Sequence, residues 1–280
     1  MEFNADKMIS CKEYAENRKQ ELKEKISKIK YRKPCLAIIQ VGDNCDSNSY
    51  VKWKIKDAEE IGIKAELYKI SSNVSHQRLK SLVKELNKSC DIDGIIIQLP
   101  LPDHIDIEDL QMNISPNKDV DGFRSDSELV PCTPGGVINF LKANNVKLDG
   151  TNVTIVGRGK CAGRPMIDMF IDENATVTAC NSHTSKEILK MKCLSSDIII
   201  SCTGVENIIT KDMILNNTIC IDVGRGDFAI DADDATIGLQ NVWLSPKISG
   251  TGLLTRIQLM ENVYEAFCNH SNEDWEDESF

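Results

Sequence analysis

Tyr50 and Lys54 carry side chains that can take part in acid–base chemistry, and they lie four residues apart in a segment with a helical pattern. Residues at positions i and i+4 share one face of a helix, so the phenol and the amine are expected to lie side by side. The predicted helix, residues 47–61, follows a buried apolar run, and α/β folds bind ligands where their parallel strands end. Because most such pairs are merely solvated surface, the pair needs support from other residues.

Two further polar residues occupy positions where a binding site is expected. Gln98 lies near the end of Asp93-Gly-Ile-Ile-Ile-Gln-Leu99, an apolar run that predicts a buried strand. Asp121 lies in Pro116-Asn-Lys-Asp-Val-Asp-Gly-Phe123, shortly before Pro131-Cys-Thr-Pro-Gly135. The strand end at Gln98 is expected beside the face that carries the tyrosine and the lysine, which makes this edge a candidate catalytic site.

A glycine-rich turn provides a second candidate site. Gly157-Arg-Gly-Lys-Cys-Ala-Gly163 follows a predicted strand and opens a predicted helix, with a spacing one residue longer than the dinucleotide fingerprint. Glycines let the backbone approach a pyrophosphate, and the first N–H groups of a helix favour an anion. The alternative is a tight strand-to-helix turn without a ligand. The further strands that follow favour a Rossmann-type domain.

The end of the next strand bears on the choice of dinucleotide. An NAD site usually has an acidic residue there to hold the ribose hydroxyls. The corresponding segment here, Cys180-Asn-Ser-His-Thr184, has none. Ser182 and the nearby Arg158 suit a 2′-phosphate instead, so the sequence favours NADP over NAD. The alternative is that Ser182 and Thr184 only cap the following helix.

The elements that position these residues alternate along the chain. Apolar runs predict strands at residues 34–41, 64–70, 93–99, 153–156, 175–179, 197–202 and 218–223. Helical patterns occur at residues 9–30, 47–61, 76–87, 163–172, 185–191 and 253–268. Strands that alternate with helices imply parallel βαβ units, so the predicted fold class is α/β. Asp149-Gly150 is typical of a turn, and a second series of elements begins after it.

Composition excludes several classes of protein. The chain has 280 residues and a net charge of −10, which argues against binding of a nucleic-acid backbone. Its apolar runs are far shorter than the ~20 residues that span a bilayer, and its first residues lack the pattern of a signal peptide. None of the eleven cysteines forms a Cys-x-x-Cys pair, and the four histidines show no metal-ligand spacing. We therefore expect reduced, mostly buried cysteines in a cytoplasmic protein without a metal site.

Taken together, several motifs resemble the bifunctional methylenetetrahydrofolate dehydrogenase/methenyltetrahydrofolate cyclohydrolase family. The resemblance extends from about residue 30 to residue 268. Its motifs are Ser47-Asn-Ser-Tyr-Val-Lys-Trp-Lys54, Gly94-Ile-Ile-Ile-Gln-Leu-Pro-Leu-Pro102, Lys118-Asp-Val-Asp-Gly-Phe123, Pro131-Cys-Thr-Pro134 and Val156-Gly-Arg-Gly-Lys160. Their common order along the chain makes the combination specific.

The resemblance implies two α/β lobes with a cleft, an N-terminal βαβ folate and catalytic lobe and a Rossmann-type lobe that binds NADP. The first would comprise residues 1–133, with a C-terminal helix at 256–270 packing back on it. The second would comprise residues 134–255, followed by an acidic tail at 271–280. The family also implies a cytosolic homodimer that packs through its Rossmann lobes and acts on tetrahydrofolate derivatives.

The same resemblance assigns roles to individual residues. Lys54 corresponds to the family's general acid/base, which Tyr50 and Gln98 would orient. Asp121 would bind the N–H donors of the pterin ring, and Ser47 would line the same pocket. The residues expected to bind the cofactor are Gly157, Arg158, Gly159, Gly163, Ser182 and Thr255.

The chain departs from the family pattern near the cofactor. The usual Pro-Gly-Gly-Val-Gly-Pro-Met-Thr segment is Ile248-Ser-Gly-Thr-Gly-Leu-Leu-Thr255 here. Arg158-Gly159 replaces the usual Arg-Ser pair, and Asn181 replaces the usual histidine before Ser182. Three functions stay open at this stage: both activities, a cyclohydrolase with weak NADP binding, or a catalytically silent folate-binding module.

Overall fold

The computed structural model describes residues 3–224, 226–231 and 238–277 in two compact units. The N-terminal unit comprises Asn17–Cys132 with Arg256–Phe280, and the central unit comprises Met1–Glu16 with Thr133–Thr255. Met1–Glu16 therefore group with the second series of elements, whereas the sequence analysis placed them in the first lobe. The physical reason is long-range packing, since the ring of Tyr14 lies edge-on to Phe140 with 5.7 Å between the ring centroids.

The N-terminal unit is built on a three-stranded parallel sheet in the order β2-β1-β3. Its strands are β1 (Cys35–Val41), β2 (Lys64–Ile70) and β3 (Gly94–Gln98). Its helices are α2 (Cys45–Ile61), α3 (His76–Lys88) and the short α4 (Ile107–Met112), while α1 (Cys11–Ser27) begins in the central unit's first segment. Every residue of β1 and β3 is buried, which explains why apolar residues predominate in both strands.

The central unit contains a five-stranded parallel sheet in the order β5-β4-β6-β7-β8. The strands are β4 (Asn152–Val156), β5 (Thr176–Cys180), β6 (Ile198–Ser201), β7 (Ile219–Asp222) and β8 (Trp243–Leu244). The helices are α5 (Cys132–Ala143), α6 (Gly163–Asp172) and α7 (Lys186–Leu194), and α8 (Thr251–Asp277) begins here. The predicted α/β class with two parallel sheets is confirmed.

Three helices differ from the sequence prediction: the six-residue α4 and the longer α5 were not predicted, and α8 extends beyond its predicted end. No helix was predicted at α5, because its first turn contains Pro134, Gly135 and Gly136. In the structure a Cβ added at Gly136 would lie 2.6 Å from the Leu254 carbonyl oxygen, so glycine permits close packing against α8. Helix α8 continues past the predicted end at 268 to Asp277, and the last part of the predicted acidic tail, residues 278–280, lies outside the described residues.

Two negative findings apply to the described part of the chain. None of its helices is both long and apolar enough to cross a membrane. It also contains no group of three or more histidine, cysteine, aspartate or glutamate side chains arranged to hold a metal ion.

Candidate active site

The first candidate site lies at the carboxyl edge of the β2-β1-β3 sheet. Gln40 and Gln98 are register partners near the ends of β1 and β3. Helix α2 begins at Cys45, four residues after β1 ends, so its first turns lie next to these strand ends. In this strand order the chain leaves β1 towards β2 on one side and β3 lies on the other, which is where open α/β sheets bind ligands.

Lys54 and Gln98 are in direct contact. Lys54 Nζ donates a hydrogen bond of 3.1 Å to Gln98 Oε1, and Gln98 Nε2 donates one of 2.8 Å to the Leu99 carbonyl oxygen. The buried amide is thereby fixed at both ends, with its oxygen towards the amine. Tyr50 lies one turn earlier on α2, and its side chain is 55% exposed, which leaves the phenol open to a ligand.

Ser47 is buried and engaged with the backbone of the same edge. Its Oγ donates a 3.1 Å hydrogen bond to the carbonyl oxygen of Leu99, which precedes a cis peptide bond to Pro100. The amide N–H of Ser47 donates to Asn44 Oδ1 at 3.0 Å. The Leu99 carbonyl therefore joins the start of α2 to Gln98, and Ser47 helps to hold the turn that follows β3.

The segment with Asp121 is held by residues that the sequence analysis did not single out. Asp119 is buried, and its carboxylate accepts backbone N–H groups from Gly122 (3.2 Å) and Arg124 (2.8 Å). Burial raises the pKa of Asp119 to about 6, while these hydrogen bonds act in the opposite direction. Asp121 itself is half-buried. Of the two aspartates in this segment, Asp119 stabilises the turn and Asp121 remains available to bind a ligand.

Helix α8 holds the same segment from the other side. The fully buried Asn262 donates Nδ2 hydrogen bonds to the carbonyl oxygens of Val120 (2.9 Å) and Val130 (2.7 Å). The only sequence signal for Asn262 is an amide in the apolar stripe of a predicted helix. Buried amides need partners, and here they are backbone groups on both sides of Asp121.

Cys132 shows that the predicted catalytic groups share one neighbourhood. Its thiol is buried and donates to the Val120 carbonyl oxygen at 3.1 Å. Burial raises the pKa of Cys132 well above its usual value, the Asp121 carboxylate raises it further, and the charge of Lys54 lowers it. Both charged groups therefore act on one thiol, so Asp121 and Lys54 belong to the same region of the N-terminal unit.

The glycine-rich turn of the central unit has two sterically required glycines and one open position. A Cβ at Gly157, where φ is +102°, would lie 3.0 Å from the Cys202 carbonyl oxygen. A Cβ at Gly163 would lie 2.2 Å from the Gly157 carbonyl oxygen. A Cβ at Gly159 would meet nothing within 4 Å. The outer glycines thus allow the turn to close, while Gly159 leaves space beside the backbone.

This turn fits a dinucleotide phosphate group. It lies where β4 ends, between β5 and β6 in the strand order, which is the ligand position of open parallel sheets. Helix α6 starts at Gly163 with no side-chain cap from Ala162, so its N-terminal dipole and amides favour an anion. Arg158 is exposed in the turn and adds positive charge.

The segment after β5 contains no acidic side chain, and Ser182 in it is exposed. The alternative that Ser182 and Thr184 cap the next helix is wrong, because Ser185 Oγ accepts the N–H of Ile188 and forms the cap of α7. Thr184 instead accepts the N–H of Asn181 at 3.0 Å. Ser182 does not cap a helix, so its side chain is available to bind a ligand.

Thr255 and the altered segment before it lie at the start of α8. Thr255 Oγ1 lies 3.1 Å from Thr133 Oγ1 and donates to the Thr251 carbonyl oxygen at 3.3 Å. Ser249 has a φ of +57°, in the left-handed region that favours glycine. The structure therefore places a serine where the resemblance expects a glycine, in a glycine-like conformation.

Comparison with known proteins matches both parts of the chain. The family model described as tetrahydrofolate dehydrogenase/cyclohydrolase, catalytic domain, matches residues 9–121. The model of the NAD(P)-binding domain of the same family matches residues 131–271. The chain belongs to the tetrahydrofolate dehydrogenase/cyclohydrolase family. The predicted family and the NAD(P)-binding domain are confirmed.

Individual relatives match nearly the whole chain. The "Bifunctional protein FolD" of Mesoplasma florum is 37% identical over 95% of this chain and 98% of its own. The crystal structure of the bifunctional methylenetetrahydrofolate dehydrogenase/cyclohydrolase of Campylobacter jejuni is 34% identical, with a TM-score of 0.88 over 93% of this chain and 98% of that one. A Trypanosoma brucei relative, described in complex with NADP cofactor and inhibitor, is 28% identical, with a TM-score of 0.86 over 94% and 97%.

Proposed function

We propose that this family member oxidises 5,10-methylenetetrahydrofolate with NADP and hydrolyses the resulting 5,10-methenyltetrahydrofolate to 10-formyltetrahydrofolate. The observation that carries the proposal is the hydrogen bond from Lys54 to Gln98 beside Tyr50, at the ligand-binding edge of the N-terminal sheet. Spectrophotometric assays of both steps on the purified protein test it. Absence of the hydrolytic step would overturn it.

Lys54 is the proposed general acid/base of the hydrolysis. Water adds to the methenyl carbon of the cation and loses one proton, which gives a neutral hydroxyl adduct. N5 is then protonated and its bond to this carbon breaks, while the hydroxyl proton of the adduct is released to solvent as the formyl C=O forms. The neutral amine of Lys54 can accept the first proton, and its ammonium form can supply the second. Gln98 fixes the amine by accepting one of its N–H groups, and Tyr50 orients it from the adjacent turn of α2.

Substrate binding is assigned to the groups around this lysine. Asp121 is half-buried and supported by the Asp119 turn, so its carboxylate is suited to accept the amino and ring N–H donors of the pterin. Ser47 completes the wall at the start of α2. The oxidation itself needs mainly positioning of the substrate, which these groups provide.

The central unit is proposed to hold NADP. Its glycine-rich turn and the uncapped start of α6 would bind the pyrophosphate, and Arg158 with Ser182 would bind the 2′-phosphate. When bound, NADP supplies the hydride acceptor for the oxidation. Thr255 and the segment 248–254 are proposed to form part of the cofactor pocket at the start of α8.

The preference for NADP depends on Arg158. We expect Arg158→Ala to lower kcat/KM with NADP by about 10-fold or more and to leave kcat/KM with NAD nearly unchanged, because arginine–phosphate hydrogen bonds are charge-assisted. The measurement is the ratio of the two constants in both proteins. Arg164→Ala, also exposed in the first turn of α6, is the matched control. A wild-type preference for NAD, or an unchanged ratio in the variant, would contradict this assignment.

A protein with only the cyclohydrolase step is the second candidate. The observation that favours it is the serine with a φ of +57° at position 249, close to the proposed cofactor pocket. This candidate would be supported if the protein hydrolyses methenyltetrahydrofolate but does not reduce NADP when methylenetetrahydrofolate is supplied.

We also propose a cytoplasmic site of action and a role in one-carbon supply, including purine biosynthesis. All eleven cysteines are free, which suits a reducing compartment. The proposed product carries a formyl group, the form of one-carbon unit that formyl transfer reactions consume.

A homodimer formed through the central unit is proposed as well. Strand β5 is an edge of its sheet, and exposed edges favour pairing with another chain. Exposed apolar side chains lie on α6 and α7, namely Ile171 (54%), Ile188 (48%) and Met191 (56%). We expect the double variant Ile188→Glu/Met191→Glu to sediment as a monomer at concentrations where the wild type is a dimer. Leu215→Glu, at a side chain of similar exposure, is the control; a monomeric wild type would exclude the dimer.

A further inference from the structure

Two buried amide side chains, Gln258 and Asn262, lie four residues apart on one face of α8. Gln258 is 5% exposed and Asn262 is fully buried, whereas the other described buried residues of this helix are apolar. Burial of an amide is costly unless its polar atoms find partners. A helix that only packs on the core would carry apolar residues at these positions, so the partners of the two amides indicate what they do.

The hydrogen bonds of this pair fix the orientation of the second amide. Gln258 Nε2 donates to Asn262 Oδ1 at 3.0 Å. Asn262 Nδ2 in turn donates to the carbonyl oxygens of Val120 (2.9 Å) and Val130 (2.7 Å). A rotated amide would turn Oδ1 towards these two carbonyl oxygens, and acceptors that face each other repel. Gln258 therefore keeps both N–H groups of Asn262 directed at the backbone.

The two carbonyl groups belong to residues 120–122 and 130–132, which lie against each other. We call them the paired segments. The N–H of Cys132 donates to the Asp121 carbonyl oxygen at 3.2 Å. A Cβ added at Gly122, where φ is +72°, would lie 2.6 Å from a backbone carbon of the other segment, so glycine permits this approach. The amide from α8 therefore bridges two stretches of backbone that are in contact on either side of Asp121.

A side chain also connects Asn262 to the Asp121 carboxylate. The Cys132 thiol accepts an N–H of Asn262 at 3.6 Å. Burial raises the pKa of this thiol most, and the Asp121 carboxylate, which lies within hydrogen-bond reach, raises it further. Asn262 is thus linked to Asp121 through backbone and through one intervening side chain, and its action on the carboxylate is indirect.

We propose that the Gln258–Asn262 amide pair positions the Asp121 carboxylate for the N–H donors of the pterin ring and thereby sets how tightly the folate substrate binds. This inference rests on the proposed function, in which Asp121 binds the pterin. Both amides are positioning residues, because they are buried and act through the paired segments. A carboxylate that is held in place before the ligand arrives loses less entropy on binding. Loss of this support should weaken binding while the contact between Lys54 and Gln98 stays intact.

The first test measures kcat and KM for methenyltetrahydrofolate hydrolysis. We expect Asn262→Ala to raise KM by about tenfold, roughly the effect of losing one hydrogen bond to a charged group, and to change kcat by less than about twofold. Gln258→Leu should raise KM by about threefold, because it lets the Asn262 amide rotate but leaves that amide in place.

Asn144→Ala is the matched control. This amide also holds two backbone groups, since it donates to the Phe140 carbonyl oxygen at 2.9 Å and accepts the Ile9 N–H at 2.7 Å, but it lies in the central unit. The control should lower the temperature of thermal unfolding and leave both kinetic constants of the hydrolysis unchanged.

A double-mutant cycle separates positioning from general damage to the fold. The measured quantity is kcat/KM at low substrate concentration, so a weakly binding variant need not be saturated. In the Asp121→Ala background, Asn262→Ala should lower kcat/KM by less than about twofold, against about tenfold in the wild-type background, because no carboxylate is left to position. Damage that does not act through Asp121 would lower kcat/KM by the same factor in both backgrounds.

The outcomes distinguish this inference from the proposed function. A wild type that does not hydrolyse methenyltetrahydrofolate overturns the function. An unchanged kcat/KM in Asp121→Ala overturns the role of Asp121 and this inference with it. An unchanged KM in Asn262→Ala, or an equal effect in both backgrounds, overturns the inference alone. If Asn262→Ala does not fold, Gln258→Leu replaces it in the same cycle, because both backbone carbonyls keep their partner, and the same two results overturn the inference.

Discussion

Replacement of Lys54 by methionine is expected to lower the rate of methenyltetrahydrofolate hydrolysis by about 10²- to 10⁴-fold, the range for loss of a general acid/base. Methionine keeps the length and the apolar stem of the side chain and removes the amine that contacts Gln98 at 3.1 Å. The side chain is half-buried on a long helix, so the fold should be retained. The measurement is the loss of methenyltetrahydrofolate absorbance, with thermal unfolding recorded on the same sample.

The control is Lys52→Met, two residues earlier on α2, where the exposed amine lies away from Gln98. It should hydrolyse the substrate at the wild-type rate. Gln98→Ala should lower the rate less than Lys54→Met does, because it disturbs the orientation of the amine and keeps the amine itself. Hydrolysis by Lys54→Met within a few-fold of wild type would show that another group carries the proton.

The strands could be predicted because the burial of each strand residue is reflected in its own residue type. All residues of β1 and β3 are buried, and the sequence shows this as apolar runs that contain one glutamine each, Gln40 and Gln98, and are bounded by glycine or proline. The same reasoning did not predict β8, because its two residues are too few to show a periodic pattern. It also failed for α5, because the glycines in its first turn lower helix propensity while the need for them comes from the Leu254 backbone, more than a hundred residues away.

Within the candidate site, the sequence predicted only those residues whose own type and position are typical of a reactive site. Lys54, Tyr50 and Gln98 stand out because reactive side chains occur at a helix face and a strand end. Asp119 and Asn262 do not, since their role is to satisfy backbone groups of the segment around Asp121. Such support is set by tertiary contacts, and neither residue type nor spacing indicates it.

The grouping of residues 1–16 with the central unit shows the same limit. Cys11–Ser27 form one continuous helix, and its amphipathic pattern does not indicate that its first turns belong to a different unit from the rest. The contacts that decide it are with distant residues, including the Asn241 Oδ1 that accepts the Ala5 N–H at 2.7 Å and the Asn144 Oδ1 that accepts the Ile9 N–H at 2.7 Å. Amino-acid composition does not reveal a boundary between two units when that boundary falls within a continuous helix.

Restoring the family segment Pro-Gly-Gly-Val-Gly-Pro at positions 248–253 is expected to raise the dehydrogenase kcat/KM by up to about 10²-fold, the scale of a 1 Å misplacement in hydride transfer. The physical reason lies at Ser249, which has a φ of +57°. A non-glycine residue in this region costs about 1–2 kcal/mol, so the serine disfavours the conformation that the segment needs. Hydrolysis at Lys54 should change far less.

Single variants separate the two changed positions in this segment. Ser249→Gly should provide most of the gain, because it removes the unfavourable φ and leaves every hydrogen bond in place. Leu253→Pro should add less, because the Leu253 N–H donates to the Gly250 carbonyl oxygen at 3.0 Å and proline removes this donor. The measurements are NADP reduction and methenyltetrahydrofolate hydrolysis on the same preparations.

The matched control for Ser249→Gly is Asn174→Gly. Asn174 also has a positive φ, +60°, and lies on the exposed loop before β5, at the opposite end of the strands from the glycine-rich turn. Relief of strain there should alter stability without raising the dehydrogenase rate. If Ser249→Gly and the restored segment oxidise methylenetetrahydrofolate no faster than wild type, or if both activities rise by one factor, position 249 does not limit the oxidation, because the serine already holds the conformation that a glycine would adopt.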